Sequence, residues 1–276
     1  MPEEAKTTYE RRKSVLRSMW ENSNLPEVVI EKLDAKEEAL EEPFYFSSFA
    51  GWDSFGVNHS LLFNPIIILL TCVLIAPNFS RDYETGADRV IRATKLGKKQ
   101  LAIARILSSL ILAFAFYSIC FIISFSISSS VFNIGGLKAD AQCIYLFTSS
   151  NLSLGGLIGV NLMGSVLALV TMSLFTLFLS ATLKSTVFSF AISVGFIMLN
   201  TIFNILNSST ILHQLSYFFV NTFSPFGGIN LFSAAISNDY LIFNEFVLWL
   251  PYAIIMMSSI LSITFITLIM KTQCKS

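Results

Sequence analysis

The sequence predicts an all-α polytopic membrane protein, and three observations lead there. Of its 276 residues, 54% are hydrophobic and only 13% charged, against about 25% charged in an ordinary soluble domain. Four long runs, 54–80, 106–137, 141–183 and 185–238, contain no Asp, Glu, Lys or Arg, and about 20 apolar residues suffice for a helix to cross a bilayer. None of these runs alternates apolar and polar residues as barrel strands do, so the spanning segments read as helices, which satisfy their own backbone groups in lipid. The 18 Lys and Arg balance the 18 Asp and Glu, which leaves no basic face for nucleic acid.

Taken in chain order, residues 1–60 form an N-terminal segment with 12 acidic and 7 basic residues. Glu10 to Asn22 and Pro26 to Glu42 read as two helices broken around Asn24, Leu25 and Pro26, with modest apolar faces from Val15, Met19, Val28, Ile30, Leu33 and Leu40. Phe44, Tyr45, Phe46, Phe49 and Trp52 follow as an interface anchor. Residues 61–276 form the membrane domain. Its first span runs from Leu61 to Phe79, with Asn64 as a cap, Pro65 in the first turn and Pro77 at an end or kink. The second runs from Arg105 to Ser130, the third from Gly156 to Ser180 and the fourth from Thr186 to Leu206, the last two joined by a tight turn at Lys184. Residues 211–236, apolar but broken at Pro225, Gly227 and Gly228, read as a re-entrant or interfacial hairpin, with a sixth span as the rival. The fifth span runs from Phe246 to Met270, with Trp249 and Tyr252 in an aromatic belt.

Basic residues set the orientation. Arg81, Arg89, Arg92, Lys95, Lys98 and Lys99 lie between the first two spans, Lys184 in the tight turn, and Lys271 and Lys275 in the tail, whereas the other loops carry only Lys138. The positive-inside rule places the former group and the C-terminus in the cytoplasm. Residues 1–60 then lie outside, although they hold no apolar signal that would carry them across. Either a further membrane helix precedes them or they insert by another route.

Nothing in the chain reads as an active site: GxxxxGK[ST], HExxH and GxSxG are all absent. Cys72, Cys120, Cys143 and Cys274 read as four free thiols with no metal spacing, and His59 and His213 as surface or interfacial residues. No cofactor is expected. Apart from Arg105 at the edge of the second span, the spans hold no ionisable group of the kind that marks an ion or proton path, so energy is expected from another chain. Gly155, Gly159 and Gly164 offer a close-packing face, and the serines of the second span either line a route or bond their own helix.

The distinctive segment is 79–105. Ser80 can cap a short helix with Tyr83, Ala87, Val90 or Ile91 and Thr94 on one face, and with Asp88 and Arg92 paired at i,i+4; Gly97 ends it. This cytoplasmic helix, within 81–97, carries mixed charges that suit a protein partner.

Phe79 to Arg105 resembles the Phe-x-x-Glu-x-x-x-Gly-like segment and basic turn of the permease subunits of type 2 ATP-binding-cassette (ABC) transporters. Glu84 stands near but not in that spacing, and Gly86 follows two residues later. The resemblance extends over about Asn64 to Lys275, with the family's first span missing. It implies a transport subunit rather than an enzyme, probing no substrate identity, and an export function in a bacterial cytoplasmic membrane. It also implies a second permease copy or paralogue, and a separate ATPase docking on Asp82, Tyr83, Glu84, Gly86, Asp88, Arg89 and Arg92. The alternative is a non-transporting membrane sensor, interaction or immunity protein built around the outer N-terminal segment.

The orientation gives the first prediction. In intact cells an impermeant maleimide labels Cys143, whereas a cysteine introduced by Lys98→Cys in a Cys143→Ala background stays unlabelled until the membrane is permeabilised. The opposite pattern reverses the topology.

Overall fold

The structure is a computed structural model. It describes residues 3–23, 25–40, 42–47, 51–52, 55–56, 59–94, 98–132, 135–206, 227–237, 239–243 and 246–275. The helices are α1 (Glu3–Asn22), α2 (Glu27–Glu38), α3 (Asn64–Ile75), α4 (Pro77–Thr85), α5 (Asp88–Ala93), α6 (Lys99–Val131), α7 (Leu154–Leu183), α8 (Thr186–Leu206), α9 (Gly227–Ser237) and α10 (Leu250–Lys275). Among the described residues, four helical stretches are long and apolar enough to cross a membrane: Leu61–Thr85, Lys99–Val131, Leu154–Leu183 and Leu250–Cys274. By that length and apolarity the chain is a multi-pass helical membrane protein. The apolar α8 adds 21 residues of helix.

The central helix is α7. Two thirds of its apolar window is buried (67%), against 39%, 22% and 28% in the other three, and α3, α4, α6, α8, α9 and α10 all pack on it. Its buried side includes Gly164, Ser165, Ala168, Thr171, Ser173, Thr176, Ser180 and Ala181. Small and hydroxyl residues let backbones approach closely where lipid removes the hydrophobic drive for helices to associate. The hydroxyls also bond across the interfaces, with Thr171 2.8 Å from Ser258 on α10 and Thr176 3.0 Å from Ser193 on α8. Around them pack Ile68, Cys72 and Ile75 of α3, Leu169, Met172 and Leu177 of α7, and Ile269 of α10. The least buried span, α6, turns Leu107, Ile111, Ile119, Ile122 and Ile127 outward, where lipid would cover them. Its exposed Ser108, Ser129 and Ser130 bond to their own helix backbone.

Several boundaries and roles differ from expectation. The first span does not begin at a capping Asn64, because a π-helical turn, His59–Phe63, runs straight into α3 and Asn64 is buried. His59 is not a surface residue: it is 1% exposed, stacks on Phe55 and lies 3.1 Å from the Tyr117 hydroxyl. Aromatic neighbours outweigh the polarity of an imidazole that has a hydroxyl to bond. Gly155 admits loop backbone rather than a helix, since its N–H donates to Leu137 O at 2.8 Å and a Cβ there would meet that oxygen at 3.0 Å. The last span starts at Leu250, not Phe246. Residues Phe246–Trp249 form a strand paired antiparallel with Tyr240–Phe243, in the register Tyr240↔Trp249, a short two-stranded addition to the helical fold. Pro251, in the first turn, starts the helix after that strand. Of the expected re-entrant hairpin, Gly227–Ser237 is helix α9, while residues 211–226, with His213, lie outside the described residues.

The end of the bundle remote from residues 81–105 holds α1 and α2, which end and begin around Pro26 and bury Leu16, Val29 and Leu33, whereas Met19 and Val28 face outward. A hairpin this small has little core. It is fixed instead by Arg12, whose guanidinium pairs with Glu37, donates to Leu146 O and donates to Thr148 O at 2.7 Å. Thr148 in turn donates through its hydroxyl to Ile236 O at 2.6 Å, and the backbone of Asp140 donates to Tyr45 O at 3.0 Å. The Lys36 ammonium lies 4.7 Å from the Trp249 ring centroid, and burial lowers its pKa. Helices α1 and α2 are thus bound to the loop at 140–148 rather than hanging from the bundle.

Breaking a buried pair by removing one partner costs about 3–5 kcal/mol, because the other charge is left without compensation. Arg12→Ala is therefore expected to accelerate amide hydrogen exchange in α1 and α2 while the spans stay protected. Unchanged exchange there would show that the pair does not hold the hairpin.

Candidate functional site

Pro77 cannot donate a backbone hydrogen bond, and α3 stops at Ile75 before α4 resumes at Pro77. Ser180 of α7 fills the joint. Its oxygen accepts from the N–H groups of Phe79 and Ser80 at 3.1 and 2.9 Å, and its hydroxyl donates to Ala76 O at 2.6 Å. Pro77 therefore marks a stitched kink rather than the end of the span.

One turn further, Ser80 Oγ lies 2.7 Å from Thr186 Oγ1, which lies 3.2 Å from Glu84 Oε2, and Thr186 N–H donates to Glu84 Oε1 at 2.7 Å. Each hydroxyl has one proton and an ionised carboxylate only accepts. Thr186 therefore donates to Glu84, and the single Ser80 proton is shared between Thr186 Oγ1 and Ala76 O, which lies 2.9 Å from Ser80 Oγ. Glu84 thereby receives the N–H and the hydroxyl of the first residue of α8, where a negative group also meets the positive end of the helix dipole.

Tyr83 faces the other way. The Lys184 ammonium lies 5.0 Å from its ring centroid, and Gln273 near the end of α10 donates to its hydroxyl at 3.3 Å. Lys184 ends α7 in the left-handed region, φ 55°, which reverses the chain into α8 within two residues. That conformation costs a non-glycine residue about 1–2 kcal/mol. Asp82 pairs with Arg105, which sits inside α6 rather than at its start. Arg105 also donates to Asn78 O at 2.9 Å and lies over Phe79. Asp82, Tyr83 and Glu84 thus bind α4 to α6, to α10 and to the α7–α8 turn.

Among the described residues, Asp88 and Arg89 form no side-chain bond with these. The single helix expected over 82–94 is two pieces: α4 continues the first span to Thr85, Gly86 ends it at φ 72°, and α5 occupies only Asp88–Ala93. Gly86 is there for its conformation, not for a close approach, because a Cβ on it would meet nothing within 4 Å. Ser80 lies inside α4 and caps nothing. Asp88 lines a small cleft of about 20 Å³ with Asp82, Ile91, Lys98 and Arg105. Arg89 and Val90 are exposed, Val90 at 72%. The Arg92 side chain, with its expected pairing to Asp88, and residues 95–97, with the expected stop at Gly97, lie outside the described residues.

No family model, curated protein or solved structure matches the chain. The site's meaning therefore rests on its own geometry.

Sequence reasoning missed Ser180, Thr186 and Gln273, which hold the cluster together. A signal existed for the first two: a hydroxyl residue about one turn before the Lys184 turn and another just after it. Among the described residues no three His, Cys, Asp or Glu side chains gather as a metal site would require. What the cluster can do is mechanical: it makes one end of α4, α6, α7, α8 and α10 a polar-bonded unit.

Ser180→Ala removes the three bonds that Ser180 makes at the Pro77 joint. At about 0.6 kcal/mol each, up to about 1.7, in membrane helices, the expected loss is about 2 kcal/mol, read as a lowered Tm in detergent. Ser108→Ala, which removes only an exposed bond to its own helix, leaves Tm unchanged. Equal effects would deny Ser180 its role.

Proposed function

We propose that the chain is the membrane-spanning permease subunit of an ATP-driven transporter of the type 2 ABC class, an exporter in a bacterial cytoplasmic membrane. In this reading it pairs with a second permease copy or a paralogue and forms the translocation path, while a separate ATPase hydrolyses ATP. Five spans and a re-entrant hairpin complete the arrangement, with the C-terminus inside. The carrying observation is that α4 prolongs the first span without interruption beyond the Pro77 joint and is bonded to α6, α10 and the α7–α8 turn. A force applied just beyond Gly86 therefore reaches several helices together, as coupling to an external motor requires.

The geometry divides the labour among the residues. Arg89 and Val90, exposed on α5, face a partner. Asp82, Tyr83 and Glu84, bonded within the chain, pass its displacement on. Arginine is enriched among the anchors of protein interfaces. The pinned outer hairpin of α1 and α2 favours, as a second reading, a sensor or immunity protein that binds its partner there and needs no ATPase.

Co-purification of an ATPase subunit from native membranes separates the two. Under the transport reading, Arg89→Glu with Val90→Asp lowers ATPase recovery about tenfold, equivalent to about 1.4 kcal/mol, whereas Glu84→Gln keeps the ATPase bound but lowers substrate-stimulated hydrolysis. Absence of any ATPase from the wild-type preparation, or full recovery and full stimulation in both variants, refutes it.

A further inference from the structure

Beside the clamp lies a second cavity that the coupling role does not use. It has a volume of about 500 Å³ and opens between the end of α7, the end of α10 and the outer face of Tyr83. Its walls divide by chemistry. Ala181 and Leu268 make an apolar side toward the spans, while Lys184 and Lys271 stand at the water side. Among the described residues no carboxylate lines it. Glu84, one residue from Tyr83, is turned to Thr186, and neither lysine forms an ion pair with another described residue. Lys184 is held by its left-handed backbone and by the Tyr83 ring, so one of the two charges is positioned before any ligand arrives.

An apolar wall beneath two ammonium groups, at the point where two apolar helices leave the hydrocarbon, matches a molecule with an anionic head and an acyl tail. We propose that this cavity is a binding site for an anionic phospholipid, its phosphate bridging Lys184 and Lys271 and an acyl chain lying along Ala181 and Leu268. The charge decides the occupant: a zwitterionic lipid brings its own cation to the two lysines and gains little, whereas a net negative head group is attracted by both. Basic pockets between membrane helices take such head groups for this reason, and the volume falls within the 300–1,000 Å³ usual for ligand sites. Bound there, the lipid would join α7 and α10 through a contact outside the hydrogen-bonded cluster. The inference does not depend on the transport reading.

The test uses the full chain, delipidated in detergent and titrated with phosphatidylglycerol or with phosphatidylcholine of the same acyl chains, with retained lipid counted by native mass spectrometry. Wild type is expected to hold one phosphatidylglycerol at least about tenfold more tightly than phosphatidylcholine. Lys184→Gln with Lys271→Gln abolishes that preference, Lys184→Arg with Lys271→Arg restores it, and Lys138→Gln, at the other end of the bundle, leaves it intact. Excess glycerol 1-phosphate fails to displace the lipid. The proposal is overturned if the double glutamine variant, folded by circular dichroism, keeps the preference. It is equally overturned if the double arginine variant lacks it, or if glycerol 1-phosphate or inorganic phosphate displaces the lipid completely, which would make the site one for a free anion.

Discussion

The fold depends on hydroxyl groups placed along α7. In hydrocarbon, apolar side chains gain nothing by leaving lipid for one another, so the helices need close backbone contact and polar bonds to choose their neighbours. Thr171, Thr176 and Ser180 lie on one helix, and each reaches a different partner: α10, α8 and the α3–α4 joint. Each bond is weak alone, yet together they specify which helix lies where. The apolar residues between them, Leu169, Met172 and Leu177, fill space that the hydroxyls have already assigned.

The two ends of the bundle use a different currency. Beyond the apolar core, charge takes over: Arg12 with Glu37 at the end that holds α1 and α2, Arg105 with Asp82 at the other. In both cases an arginine with several donors also satisfies backbone carbonyls, Leu146 and Thr148 for Arg12 and Asn78 for Arg105. The planar guanidinium suits this because its five donors point in fixed directions. The contrast with Lys184 is instructive. A lysine there lies over a ring, without an ion pair among the described residues, and stays available to a ligand.

Much of the architecture is legible in the sequence because hydrophobicity is local. The expected spans 105–130 and 156–180 locate α6, α7 and the turn at Lys184 to within about six residues. They underestimate helix length, since α6 and α4 carry their helical geometry several residues into the charged segment, where composition changes but backbone preference does not. The strand at Phe246–Trp249 is hidden because Phe246-Val-Leu-Trp249 is equally apolar as strand or helix, and only its partner Tyr240–Phe243 decides. His59 and Ser180 are hidden for a related reason: their neighbours come from distant parts of the chain. Of the site, the sequence picks out Asp82, Tyr83 and Glu84 but not their roles. A mixed-charge helix looks the same whether its charges face a partner or its own bundle, and 100 residues separate Glu84 from Thr186.

The left-handed bend at Gly86 draws a boundary along the chain. On its N-terminal side every change must suit the fold's own interior: a new residue at 82, 83 or 84 is judged by Arg105, Lys184, Gln273 and Thr186. On its C-terminal side α5 touches little and is judged by whatever meets it from outside. Two sets of demands therefore act on neighbouring residues with one glycine between them, and the short stretch after that glycine is free to change without unsettling the spans behind it.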